Sequence, residues 1–389
     1  MKLLILLIKW GFPILLISDL SSELLESEFI LNISRVLRTL ILILLIKENI
    51  ANYRIIKKFI FFKFLSFFLI VLFLYLFTDQ DFAEGFWVYS KILYWVLGVN
   101  ILFAYGYRGV FKEEDFLIVL KRVILIAFIF TVLFFLTGYI KEDYNIAAYL
   151  VLFMYPLLLY NSDAFKFNKF FIILSAFSIF ITLKRGAILA FTVSSLVYYF
   201  GYLKSNFSIK KLVSGFIIIT SISLIGLTSL EFEDSNVEER FNENQFDPNN
   251  EKAGSGRVGL YMDLYDGWYY SDNLIFGFGN QEDSRRIVGR RTHAHSDIFG
   301  FLYNYGLVGI TLILLLYIKI IKFYFYYRKY DKENSAIIIS LFFILVLVNF
   351  YSGLFRTTNV VYFFSILPYL QLKVLYKQKQ QQVMAWQKK

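Results

Sequence analysis

Residues 256–309 read GRVGLYMDLYDGWYYSDNLIFGFGNQEDSRRIVGRRTHAHSDIFGFLYNYGLVG. This stretch holds the only two histidines of the chain, His293 and His295, and a dense set of arginines. On both sides of it the sequence is nearly continuous apolar helix. Of 389 residues, 58% are hydrophobic and 20% aromatic, more apolar surface than a soluble domain of this length can cover. The expectation is an all-α integral membrane protein, a single polytopic domain over 1–389, whose charged chemistry is concentrated in one loop.

A membrane-spanning helix needs about 20 apolar residues. Working outward from the loop, the sequence offers about twelve such segments: 2–18, 29–46, 58–77, 85–106, 116–137, 145–160, 168–183, 186–202, 211–230, 298–321, 335–354 and 357–372. The amino-terminal segment lacks a small-residue cleavage site and is read as a retained span. Lys47, Arg54, Lys57 and Lys58 share one side with Lys166 and Lys169, with Lys204, Lys210 and Lys211, and with Lys322, Arg328, Lys329 and Lys332. The alternate loops, 19–28, 78–85 and 231–240, are acidic or neutral. This asymmetry predicts both termini in the cytoplasm and a large outside (periplasmic) loop at 231–297, between spans nine and ten. The net charge of +10 follows from the cytoplasmic loops, so no nucleic-acid partner is expected. The absence of cysteine excludes disulfides, thiolate nucleophiles and cysteine metal sites.

Lys184-Arg185 breaks the charge pattern, because it falls on the outside between the seventh and eighth spans. One reading is a helix-end pair that snorkels to the interface; the other is a cation held there to bind an anionic substrate. Within the long loop, residues 231–255 are acidic and Asn-rich. From Arg257 the residues Leu260, Tyr261, Leu264 and Trp268 restore helical spacing and predict a short amphipathic helix. Gly277 and Gly279 mark a tight turn where the backbone can approach another group closely. Arg285, Arg286, Arg290 and Arg291 then lead into the histidines. Arginine forks suit phosphate oxygens, and a histidine exchanges a proton near neutral pH. A metal would need the H-x-H pair together with a carboxylate such as Asp297, Glu282 or Asp283; no metal and no cofactor is assigned. Lys9, Arg35 and Arg38 lie in early apolar segments without an assigned role.

An Arg-led helix at Arg257, a G-x-G turn at Gly277 and Gly279, and His295 entering a helix with Gly306 and Gly309 together resemble the Wzy_C-type O-antigen ligase and O-antigen polymerase superfamily. Leu183-Lys184-Arg185-Gly186-Ala187 is similar to the Ser-Arg-Gly-Ala-like motif that members carry at the outer end of an earlier span. Where members have a His-Asn pair, this chain has His295-Ser296. The resemblance implies a membrane glycosyltransferase in the bacterial cytoplasmic (inner) membrane, acting on a polyprenyl-diphosphate-linked oligosaccharide at the outer face. It implies Arg185 and Arg257 on the diphosphate and His295 as base or acceptor-orienting group. Arg290, Arg291, His293, Lys184, Gly277 and Gly279 are expected to contact substrate. A polymerase of repeat units for O antigen or capsule is the favoured member, and a ligase acting on lipid A–core is the alternative. Membrane lipid, a chain-length regulator and a flippase are the expected partners. A flippase or other transporter is the reading from a different class, but the chain shows no internal repeat of the kind transporters carry.

Overall fold

The computed structural model describes residues 13–14, 16–17, 28–78, 82–136, 144–159, 168–182, 185–203, 253–280, 282–283, 296–332, 334–355 and 360–387. Among them are twelve α-helices and no strand. They are α1 Glu28–Ala51, α2 Tyr53–Ile56, α3 Phe62–Tyr75, α4 Phe82–Tyr107, α5 Glu113–Leu136 and α6 Tyr144–Leu158. The series continues with α7 Asn168–Ile181, α8 Arg185–Leu203, α9 Ala253–Tyr269, α10 Asp297–Arg328, α11 Ser335–Tyr351 and α12 Val360–Gln387. Ten of these helices coincide with predicted spans; α2 is a single turn and α9 lies in the long loop. The predicted spans at 2–18 (apart from residues 13–14 and 16–17) and 211–230 lie outside the described residues.

Among the described residues, three helices are long and apolar enough to cross a membrane: Val88–Tyr107, Glu113–Phe134 and Asp297–Arg328. Large apolar side chains such as Ile70, Leu74, Ile129, Ile173 and Leu314 stand exposed on the outside of the bundle. That is the surface of a protein solvated by lipid rather than water. Apolar attraction between helices is weak in such surroundings, so close backbone approach and polar bonds hold them together. The α8–α11 pair shows both. Ala187, Ala190 and Ser194 of α8 are fully buried, and the Ser340 hydroxyl of α11 donates to Ser194 O at 2.9 Å. A Cβ added at Gly201 would stand 2.9 Å from the Cβ of Ala336. Elsewhere aromatic rings fill the core: Trp95 of α4 stacks on Phe364 of α12 at 4.7 Å and packs beside Phe68 and Phe355.

The described connectors gather at two opposite ends. At one end Tyr105 donates to Glu48 (2.9 Å), Gln371 donates to Lys58 O (3.0 Å), and Lys377 pairs with Asp331 (2.7 Å). Lys373 and Tyr369 of α12 both engage Glu113. The segments that the charge bias groups together, 47–58, 322–332 and the tail, thus meet. The other end carries α9, the start of α10 and the end of α11.

Candidate active site

Helix α10 cannot run straight through FLYNYGLVG, because Gly306 sits at φ 59°, ψ −148°. A break in an apolar helix frees peptide groups that must be paired by protein. Loop 274–279 supplies the partners. Phe278 N–H donates to Tyr303 O (3.1 Å) and Gly279 N–H to Asn304 O (2.9 Å), while Leu307 and Val308 N–H donate to Leu274 O (3.0 Å) and Ile275 O (3.1 Å). The Tyr75 hydroxyl of α3 donates to Tyr305 O at 3.2 Å.

The close approach expected at the G-x-G turn is therefore made to α10. Gly277 and Gly279 adopt φ 68° and 112°, and a Cβ at Gly277 would lie 2.5 Å from Asn304 C and Gly306 N. Only glycine allows two backbones this near at a positive φ. Beyond the turn, side chains continue the clasp. Asn304, fully buried, donates to Asp283 Oδ1 (2.8 Å) and accepts from Asp283 N–H (2.9 Å). Tyr305 donates to Asn280 Oδ1 at 2.6 Å. The chain is held on α10 directly before the basic run begins.

The end of α11 is the second centre. The last carbonyls of a helix have no partner within it, and here other segments reach in to pair them. Ser296 donates to Asn349 O (3.1 Å) and Tyr261 of α9 donates to Phe350 O (3.2 Å). Tyr261 also stacks on Phe299 of α10 at 4.5 Å, with ring planes 8° apart. The buried Asp297 carboxylate accepts from Leu354 N–H (2.5 Å) and Phe355 N–H (3.3 Å). Helix α8 starts at the same place: a Cβ at Gly186 would be 3.0 Å from Tyr149 Oη and 3.3 Å from Tyr351 Cβ. The N-termini of α8 and α10, each carrying about half a positive charge from aligned peptide dipoles, therefore both adjoin residues 349–351.

Of the predicted residues, Arg185 is the first residue of α8. Arg257 does not open its helix, as the spacing implied; α9 starts at Ala253, so Arg257 lies one turn in and one turn before Tyr261. Lys184, Arg290, Arg291, His293 and His295 lie outside the described residues. Their neighbours are placed: Ser296 caps α10, its hydroxyl accepting from Phe299 N–H at 3.4 Å. Asparagine is an equally good cap, so an Asn at this position could make the same cap bond. The predicted amphipathic face of α9 forms as expected: Leu264 is buried with Tyr303, and Leu260, Trp268, Phe278 and Phe299 pack against that pair. Among the described residues, no group of three His, Asp or Glu side chains is arranged to hold a metal ion. Arg35 donates to Asn32 Oδ1, one turn earlier on the exposed side of α1 (3.2 Å).

Sequence reasoning missed Asn304, Asn280, Tyr75 and Asn349. A signal existed for Asn304, since an amide in an apolar helix is costly unless paired. None existed for the rest, whose partners lie far along the chain.

Residues 170–314, from α7 to the middle of α10, match the family model described as O-Antigen ligase. The matched region contains Arg185, Arg257, the Gly277–Gly279 turn, His295 and the Gly306 break, so it bears out the superfamily resemblance carried by those motifs. No curated protein matches the chain.

Proposed function

We propose, with an O-antigen ligase-type segment as the premise, that this membrane protein polymerises polyprenyl-diphosphate-linked oligosaccharide repeat units at the outer face of the cytoplasmic membrane. In this reading the acceptor hydroxyl attacks the anomeric carbon of the donor glycan. The bond from that carbon to the diphosphate oxygen breaks, a glycosidic bond forms, and the polyprenyl diphosphate departs. His295 takes the hydroxyl proton, the task a group that titrates near neutral pH does best. Arg185 and Arg257 neutralise charge developing on the departing diphosphate, which fixed guanidinium forks accomplish without rearrangement. Arg290, Arg291, His293 and Lys184 assist in substrate binding, and no cofactor takes part.

The observation that carries this reading is the junction at residues 349–355. Three motif-bearing segments attach there: α8 through Gly186, α9 through Tyr261, and the start of α10 through Ser296 and Asp297. Arg185, Arg257 and His295 are respectively the residue before Gly186, one turn before Tyr261, and the residue before Ser296. Two helix N-termini at the junction favour an anion such as a diphosphate.

The family description itself favours a second reading, transfer of the finished chain to lipid A–core. The surface-glycan pattern of a deletion strain, complemented with wild type, Arg257→Ala or His295→Ala, separates the two. A polymerase defect leaves a single repeat unit on the acceptor. A ligase defect leaves full-length chains on the polyprenyl carrier. A normal ladder from both variants, at wild-type protein levels in the membrane, refutes the site.

A further inference from the structure

At the end of the bundle opposite this junction, an open cleft of about 440 Å³ lies between the α1–α2 turn and the end of α4, with Asn52, Tyr53, Arg54 and Arg108 among its lining. Asn52 is almost wholly buried. Both its amide hydrogens are used, Nδ2 donating to Glu48 O (2.8 Å) and Glu48 Oε2 (3.1 Å). That fixes the amide orientation and leaves Oδ1 buried with no donor among the described residues. A buried acceptor without a partner costs stability and marks a place where another molecule can supply the bond. The Arg54 and Arg108 side chains are exposed at the rim, and neither forms an ion pair among the described residues. The Glu48 carboxylate beside Asn52 is engaged on its Oε2 by Tyr105 and Asn52.

Two guanidinium forks lining one cleft with a buried, unpaired amide oxygen suit a phosphate that carries a hydroxyl or amine close by. The adjoining surface points to the rest of that molecule. Ile43, Ile46 and Ile50 are exposed along one stripe of α1 that ends at the cleft. This is an apolar track for an acyl chain, and it ends at the phosphate-binding pair. We propose that the cleft binds the headgroup of an anionic glycerophospholipid, its phosphate on Arg54 and Arg108, a headgroup hydroxyl donating to Asn52 Oδ1, and a chain along the Ile43–Ile50 stripe. This is a lipid site separate from the glycan-transfer site, on the side that the charge bias assigns to the cytoplasm.

The test uses the purified full-length protein in micelles containing phosphatidylglycerol or phosphatidylcholine, with retained lipid counted by native mass spectrometry. Wild type is expected to retain phosphatidylglycerol in preference to phosphatidylcholine. The double variant Arg54→Gln/Arg108→Gln is expected to bind phosphatidylglycerol roughly thirtyfold more weakly, from the loss of two cation–headgroup contacts. Arg328→Gln/Lys329→Gln removes the same charge from the same end and is expected to bind as wild type does. Equal loss in both double variants, or in neither, overturns the site. If inorganic phosphate alone displaces phosphatidylglycerol at millimolar concentration, the occupant is a free phosphate and the lipid assignment fails.

Discussion

Replacing Gly277 with alanine tests whether the loop clasp holds the broken helix together. Gly277 and Gly109 share φ 68°, so alanine at either position carries a left-handed backbone penalty of about 1–2 kcal/mol. They differ in their surroundings. A Cβ at Gly109 meets nothing within 4 Å, whereas at Gly277 it meets Asn304 C and Gly306 N at 2.5 Å and Asn304 O at 2.6 Å. Those neighbours are backbone and cannot rotate away, so the loop must lift. Lifting releases at least the bonds from Phe278 and Gly279 to Tyr303 O and Asn304 O, each contributing about 0.5–1.5 kcal/mol. Gly277→Ala should therefore cost about 2–5 kcal/mol and Gly109→Ala only the backbone part. The unfolded-chain effect of adding a methyl is common to both and cancels. Unfolding of the purified protein in mixed micelles titrated with denaturing detergent measures the difference. If Gly277→Ala is no more destabilising than Gly109→Ala, the clasp does not support the fold and the account of Gly306 fails.

Three further outcomes follow from the same geometry. Ser296→Ala should lose about 1 kcal/mol of cap stability and Ser296→Asn should not; detergent unfolding of the two, with the surface-glycan ladder as second readout, checks that Asn substitutes for Ser here. Asn304→Leu should cost about 3 kcal/mol, because it strips the Asp283 carboxylate and N–H of this partner. Adding Asp283→Leu to that variant should cost less than Asp283→Leu costs alone, and strict additivity would show that the pair is not coupled. Arg257→Lys should restore far less glycan transfer than the wild-type arginine in the deletion strain, since a lysine offers a point charge where a diphosphate is held by a fork; full complementation by lysine would remove the bidentate role.

Which parts of this architecture were readable in advance depends on where the determining interactions lie along the chain. The helices α1, α3–α8 and α10–α12 are local features, since an apolar run of sufficient length must form a helix in lipid whatever it packs against. The face of α9 is also local: Tyr261, Leu264 and Trp268 repeat at helical spacing, and the face they define is the one that docks. The start of α9 at Ala253 is not legible in the sequence, because Ala253-Gly-Ser-Gly is rich in poor helix formers. The break at Gly306 was hidden for a different reason. A lone glycine in an apolar helix is compatible with continuity, and what ends the helical geometry here is loop 274–279, some thirty positions earlier in the chain.

The junction at 349–355 was the least visible feature. Asn349-Phe350-Tyr351-Ser352-Gly353-Leu354-Phe355 carries no charged residue and reads as the ordinary end of an apolar span. Its contribution is made by carbonyls and peptide N–H groups, which every sequence has and none advertises. Arginines and histidines reveal where chemistry is expected because their side chains are costly in a membrane, whereas the backbone that gathers their segments has no compositional signature. The uncharged end of α11 should therefore be more sensitive to insertion than to side-chain replacement. Displacing Asn349 O and Phe350 O from Ser296 and Tyr261 would detach α9 and α10 together, while Phe350→Leu leaves both carbonyls in place.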